Sequence, residues 1–188
     1  SNIKKIDILL FKIIICINNK MAGFHTKTFA VYDDYMTPKY AWENIKHIIP
    51  KDKVIWESFY GDGDSGTFLK ELGFETIHRN IDFFKNDLGD IIVSNPPFKY
   101  KKEVFTRLIK LGKPFIIICP SSMINTQYFR RLFSKQEEPI KIVIPRRRIQ
   151  FKKIDPEGNF IKTKGCNFDC FYYCWKIPAL KRDITWLE

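Results

Sequence analysis

The sequence has no unbroken apolar stretch long enough to cross a bilayer. Its longest apolar run, residues 8–17, is interrupted by Lys12 and is about half of the ~20 residues that a spanning helix needs. No small-residue cleavage site follows it, so it is a weak secretory signal. Ile3, Ile6, Leu10, Ile13, Ile14 and Ile17 recur at helical spacing, which predicts a packing helix or an N-terminal extension over 1–22, with Met21 as an alternative start. Histidine is scarce: His25, His47 and His78 are scattered, and none is assigned a catalytic role. Acidic residues are outnumbered, 21 against 32 Lys and Arg, for a formal charge of +11. That balance favours a polyanionic partner, nucleic acid first. The five cysteines are odd in number and form no disulfide framework, which points to a reducing, intracellular compartment. Cys166, Cys170 and Cys174 recur every four residues, but in an aromatic-rich stretch that reads as a strand. Residues four apart in a strand share a face and sit about 13 Å from each other. They cannot share one ion, and no metal site is expected.

Apolar residues make up 45% of the chain and aromatics 15%, enough for a packed core. A length of 188 residues favours one domain, placed at 23–188. Thr37 reads as a helix cap with Pro38 at the first helical position, and the helix is expected to run to about residue 49. Residues 54–59 read as a buried strand that Gly61-Asp62-Gly63 ends sharply. A helix over 65–72 follows, then strands over 75–79 and 90–94, a basic helix over 101–111 and a strand over 114–119. A helix over 122–134, a strand over 141–144, a loop and the aromatic strand complete the pattern. Alternating strands and helices, with continuously apolar strands, predict an α/β fold: a mostly parallel central sheet covered by helices on both faces.

In such sheets ligands bind at the carboxyl ends of the strands, and two unusual peptides occupy such ends. In Glu57-Ser58-Phe59-Tyr60-Gly61-Asp62-Gly63 the glycines allow a tight turn and close approach to a ligand, and the acid can pair with an amine. A lone Gly-x-Gly is weak evidence, and Gly66 is read as falling outside the three-glycine dinucleotide pattern. Asn95-Pro96-Pro97-Phe98 is far more specific. Its prolines fix a turn without amide donors. The Asn95 side-chain oxygen and the Pro96 carbonyl can serve as paired acceptors for an NH2 group, and Phe98 offers a flat face.

Together the two peptides resemble the amino-methyltransferase branch of class I S-adenosylmethionine-dependent methyltransferases, especially DNA adenine-N6 methyltransferases of phage and large-virus type. The family's acid-x-Phe-x-Gly-x-Gly motif matches Glu57–Gly63, and its Asn-Pro-Pro-aromatic motif matches Asn95–Phe98. Its Thr-Pro segment matches Tyr35–Pro38, its Asp-Phe pair matches Asp82-Phe83, and its C-terminal stretches match Arg148–Phe151 and Cys166–Trp175. The resemblance covers about residues 30–178. It implies a Rossmann-like fold, S-adenosylmethionine as cofactor, and methyl transfer to the exocyclic N6 of adenine in DNA. The implied catalytic residues are Asn95, Pro96, Pro97 and Phe98. The implied cofactor residues are Tyr35, Thr37, Pro38, Glu57, Phe59, Tyr60, Gly61, Gly63, Asp82 and Phe83.

The family has an acid for the ribose at the end of its second strand. Here His78-Arg79-Asn80 stands there, so Asn80 or Asp82 is expected to substitute, and a helix and strand of the family pattern are missing or merged. Lys99, Lys101, Arg146, Arg147, Arg148 and Lys152 are expected to hold phosphates, alongside Lys102 and Lys153. Three adjacent arginines cannot all face one groove. DNA is the expected partner, with no membrane and with a monomer among the open oligomeric states. RNA adenine and a protein glutamine amide are alternative substrates. A non-catalytic nucleic-acid-binding partner subunit is the alternative of a different class.

Overall fold

A computed structural model describes residues 35–154, 160–161 and 168–188. The expectations for 1–22, and Cys166, lie outside the described residues. β-Branched and aromatic runs form the strands, as their fit to a pleated buried surface requires. In chain order the elements are β1 (Tyr35–Met36), α1 (Lys39–Glu43), β2 (Ile55–Glu57), α2 (Asp64–Glu71), β3 (Thr76–His78), β4 (Ile91–Ser94), α3 (Lys101–Leu111) and β5 (Phe115–Pro120). They continue with α4 (Gln127–Phe133), β6 (Lys141–Ile144), β7 (Lys152–Ile154), β8 (Phe160–Ile161), β9 (Cys170–Trp175) and β10 (Ile184–Trp186).

The main sheet has the order β10-β6-β9-β5-β4-β2-β3. The pairs β3/β2, β2/β4, β4/β5 and β6/β10 are parallel, and β9 runs antiparallel to both β5 and β6. All strands except β9 therefore point the same way. Parallel strands are covered on both faces, which is why β2, β4 and β5 are buried at every position. From β2 the chain moves outward to β3, whereas from β4 it moves the other way to β5. Right-handed crossovers then put α2 and α3 on opposite faces, and the switch point falls between β2 and β4. Phe105, from the buried stripe Val104, Phe105 and Leu108 of α3, sets its ring edge-on to Phe115 of β5 and to Phe129 of α4.

The expected missing segment is observed. Residues 79–90 cross from β3 to β4 with neither helix nor strand, and β3 is the sheet edge among the described residues. Gly89 makes the crossing possible. Its φ is +61°, and a Cβ there would lie 2.8 Å from the Val54 carbonyl oxygen.

Several expectations are corrected. Thr37 does not cap α1; Pro38 takes the N-cap position with no side-chain bond, and the helix ends at Glu43 in a run of turns. The expected 122–134 helix is a 3-10 turn (Ser121–Asn125) followed by α4. Residues 152–154 and 160–161, read as loop, form with β1 a second sheet of order β1-β7-β8. The edge strand β10 was not foreseen. Cys170 and Cys174 do lie in a strand, buried.

Candidate active site

The carboxyl ends of β2 and β4 meet at the switch point, and they carry the two singled-out peptides. The Asn95 amide is oriented by one contact: its Nδ2 donates to the Tyr35 carbonyl, 2.9 Å away. A carbonyl can only accept, so the nitrogen must face it and Oδ1 must face away. Oδ1 is buried and has no partner. Pro96 is buried and has no N–H to compete for it. The Pro97 carbonyl accepts from the Tyr100 amide at 3.1 Å, which closes the turn, while no hydrogen bond reaches the Pro96 carbonyl among the described residues. A buried acceptor without a partner costs roughly 1–3 kcal/mol, which makes Asn95 Oδ1 a docking point for a donor.

Glu57, expected to meet a ligand amine, is engaged elsewhere. It is 1% exposed, accepts a short hydrogen bond from Ser94 Oγ, and has Oε2 2.6 Å from His78 Nδ1. The same nitrogen is 3.2 Å from the Glu57 backbone oxygen. One proton on Nδ1 serves both acceptors, and the carboxylate contact is the stronger. Burial pushes the Glu57 carboxyl up, against the opposing pull of His78. Burial alone would lower His78, but the Glu57 hydrogen bond and charge outweigh it and hold the imidazole above its ordinary value.

The His78 ring stacks on Tyr60, centroids 4.8 Å apart and planes 11° apart. Its other neighbour is Gly66 of α2, where a Cβ would lie 2.3 Å from His78 Cγ. This overturns the reading of Gly66. Gly61, Gly63 and Gly66 do have the Gly-x-Gly-x-x-Gly spacing, and the third glycine serves close helix–strand packing, as in dinucleotide-binding turns. Gly61 and Gly63 have φ of +56° and +91°, a region that favours glycine. A Cβ at Gly61 would lie 3.0 Å from Met36 Sδ, and one at Gly63 would lie 3.3 Å from the Tyr60 hydroxyl.

The other residues expected at the cofactor are less alike. Thr37 Oγ1 is buried without a partner, as are Ser58 Oγ and His78 Nε2. Pro38 is half-buried beside Thr37. Phe83 is 2% exposed, 5.0 Å from Phe59 and 5.5 Å from Trp56 by ring centroids, so it is part of the core. Asp82 Oδ1 accepts from the Phe84 amide at 2.9 Å and its other oxygen lies 3.3 Å from Lys85 Nζ, so its carboxylate is spent on its own turn. Asn80 is exposed.

Phe98, expected to offer an open face, is 2% exposed. Tyr35 stacks on it at 5.6 Å, and Phe151 and Phe168 meet it edge-on at 6.0 and 5.5 Å. It anchors an aromatic cluster beside the Asn-Pro-Pro turn instead of standing free. The small sheet builds that cluster, because Tyr35 pairs with Lys153 and Met36 with Lys152. Lys152 is exposed, and Lys153 Nζ lies 5.8 Å from the Tyr35 ring centroid.

Lys99 is exposed, 5.4 Å from the Tyr100 ring centroid, and Lys101 opens α3 half-buried. Arg146, Arg147 and Arg148 are exposed and follow β6, whose carboxyl end lies on the same edge as that of β4. They do not act alike. Arg148 forks onto Asp169, with Nε 2.7 Å from Oδ1 and Nη2 3.3 Å from Oδ2. Arg146 and Arg147 line a separate cavity of about 650 Å³.

Sequence reasoning missed His78, Ser94, Phe151 and Phe168 as site residues. A signal for His78 existed. In parallel strands the terminal residues lie level, and Glu57 registers directly against His78. A buried carboxylate at one strand end predicts a partner at the next.

The strand order, with one antiparallel strand in an otherwise parallel sheet and a glycine turn at the switch point, is a Rossmann-like α/β arrangement. No family model matches the chain. Among individual proteins, the chain is similar to the type II methyltransferase M.EcoRI of Escherichia coli, 32% identical over 100 residues, which are 53% of this chain. The chain spans 26% of that relative's length. A solved structure from Listeria monocytogenes, assigned to the class I S-adenosylmethionine-dependent methyltransferases, aligns over 87% of this chain and 67% of its own, with a TM-score of 0.48 and 12% identity. A S-adenosylmethionine-dependent O-methyltransferase from Thermotoga maritima aligns over 89% and 71%, with a TM-score of 0.42 and 10% identity.

Proposed function

We propose that this chain transfers a methyl group from S-adenosylmethionine to the exocyclic N6 of adenine in DNA. The observation that carries the reading is the Asn95 amide, held by the Tyr35 carbonyl so that an unpartnered buried oxygen is the group left to meet a substrate. An oxygen so placed suits a donor with protons to give, such as an exocyclic amine. The similarity to M.EcoRI and the net charge of +11 support a nucleic-acid substrate.

The residues present fit the cofactor. Gly61 and Gly63 open the backbone where a Cβ would crowd Met36 or Tyr60, and Thr37, Ser58 and His78 each keep a buried polar atom without a partner. These residues would hold it in place of an acid at the second strand end. When bound, S-adenosylmethionine supplies an electrophilic methyl carbon on a sulfonium.

The chain's own residues do the positioning. Asn95 Oδ1 accepts one proton of the amine, and the Pro96 carbonyl is available for the other. Two acceptors draw the nitrogen toward tetrahedral geometry and aim its lone pair. Because the nitrogen sheds its proton after the new bond forms, no neutral-pH base is needed beforehand, and His78 stays with Glu57. Catalysis is orientation and preorganised electrostatics. The target base must be flipped out or already single-stranded to reach the turn.

The test is methyl transfer from labelled cofactor to duplex DNA, single-stranded DNA and RNA, followed by nucleoside mass spectrometry. N6-methyladenine in DNA is expected, with the rate reduced about 10²–10³-fold in Asn95→Ala and cofactor binding kept. Label confined to RNA would replace the substrate. Absence of label in every nucleic acid, with cofactor bound, would overturn the reading.

A further inference from the structure

The cavity after β6 lies outside the catalytic turn. Arg146, Arg147, Tyr40, His47 and Trp186 contribute to its lining, and its volume is about 650 Å³. Three features set it apart. First, Trp186 is 70% exposed, while Trp42, Trp56 and Trp175 are at 0%, 0% and 4%. A large ring left open to solvent has apolar faces to offer. Second, among the described residues no carboxylate pairs with Arg146 or Arg147, whereas the adjacent Arg148 is committed to Asp169. Third, the loop carrying the arginines is tied to α1, because the Gln150 amide donates to the Tyr40 hydroxyl at 2.7 Å. The two guanidinium groups thus stand on an anchored wall.

Trp186 registers beside Ile144 in the parallel pair β10/β6, so the cavity opens at the carboxyl edge of the sheet, on the same edge as Asn95. Four strand spacings separate β4 from β10, about 19 Å at ~4.8 Å each. That is about five or six stacked nucleotides at ~3.4 Å apiece.

We infer that this cavity binds single-stranded nucleic acid flanking the target nucleotide, with a base stacked on Trp186 and backbone phosphates on Arg146 and Arg147. The inference rests on the nucleic-acid reading above. Aromatic stacking together with a basic track is how single strands are held without sequence readout. Glu188 also lines the cavity, so the phosphates run along the arginine side. Because the arginines sit several nucleotides from the turn, the cavity contributes affinity on long substrates and none on short ones.

The probe is an oligothymidylate, whose bases have no exocyclic amine, so its binding is read independently of methyl transfer. Trp186 is the one tryptophan open to a stacked base, so oligothymidylate should quench emission in the wild type and leave Trp186→Phe unquenched. Arg146→Ala combined with Arg147→Ala should weaken binding about tenfold and lower the log–log salt slope by about 1.4, as expected for two fewer phosphates on a single strand. Arg148→Ala should change neither. On adenine-containing substrates, Trp186→Ala should raise KM for long oligonucleotides and leave kcat, and the KM of a trinucleotide, unchanged. Equal binding by wild type and the double arginine variant without quenching would overturn the inference. So would Trp186 quenching by an acidic peptide in place of the oligonucleotide, which would make the cavity a protein-docking site. Intact oligothymidylate binding with no methyl transfer to any adenine would instead sink the proposed reaction and leave the cavity standing.

Discussion

Gly66→Ala introduces one methyl group on α2. In an ordinary helix interior this replacement stabilises by about 1 kcal/mol, because alanine is the better helix former. Here the new Cβ would sit 2.3 Å from His78 Cγ, 2.4 Å from its Cβ and 2.5 Å from Cδ2. These atoms belong to the rigid base of the side chain, and the ring is closed on the other side by Tyr60. It must leave. Overpacking costs about 1–3 kcal/mol, and stripping Glu57 of its buried partner costs about 3–5 kcal/mol. The two costs overlap in part, since expulsion relieves the contacts with Cγ and Cδ2 and leaves the backbone to shift for the His78 Cβ, so roughly 3–5 kcal/mol opposes 1. A net loss of about 2–4 kcal/mol follows, or about 5–15 °C in Tm for a chain of this size. The decisive assay is a double-mutant cycle by urea unfolding. In a His78→Gly background all three of these atoms are gone, so Gly66→Ala should be neutral or stabilising by about 1 kcal/mol. The coupling should reach about 2–5 kcal/mol. Equal destabilisation in both backgrounds would refute the reasoning, because the methyl group would then be clashing with something other than His78.

Thermal stability should fall as pH rises above 6.5. His78 is held above that ordinary value, so its contribution is complete below pH 6.5 and is lost as pH climbs through the folded value; Glu57, also raised, acts with the same sign. His78→Gln should flatten the profile, and a Tm that rises with pH equally in wild type and variant would contradict the pairing. Cys119, Cys170 and Cys174 are buried, and burial pushes the Cys174 thiol up. A brief maleimide pulse read by mass spectrometry should label none of the three in the native protein and all three in denaturant; native labelling of Cys174 would contradict its burial.

The strands around the switch point were legible because a parallel sheet leaves an unmistakable record. Ile91-Ile92-Val93 and Phe115-Ile116-Ile117-Ile118 are apolar without alternation, as burial on both faces demands. The Asn95–Phe98 turn was legible as a turn for a local reason: two consecutive prolines after a strand fix their own backbone. The second sheet was hidden because β1 and β8 are two residues long and have no periodicity to read. Tyr35 and Met36 become a strand only through β7, far along the chain. The fate of Phe98 was hidden for a related reason. Whether its ring is open or covered depends on Tyr35, Phe151 and Phe168, which sequence spacing does not bring together. Glu57 shows the limit of carrying a role over from a motif. The residue type matches, but the neighbouring strand end holds a histidine, and that partner occupies the carboxylate.

The β1/β7 pairing sets the order in which the Asn95 site can be assembled during synthesis. The carbonyl that turns the Asn95 amide belongs to Tyr35, and Tyr35 is paired with Lys153. The same early segment is tied to the late one twice more, by Gln150 to the Tyr40 hydroxyl and by the Tyr172 hydroxyl to the Ala41 carbonyl. A ribosome adds about 5–20 residues per second, so Asn95 emerges seconds before the strand that locks its orienting partner. A nascent chain carrying both signature peptides therefore has its motifs but not its aimed acceptor. The site is complete only when the last third closes over the first, and a truncation before β7 would yield a protein that keeps the motif and lacks the oriented Asn95 amide.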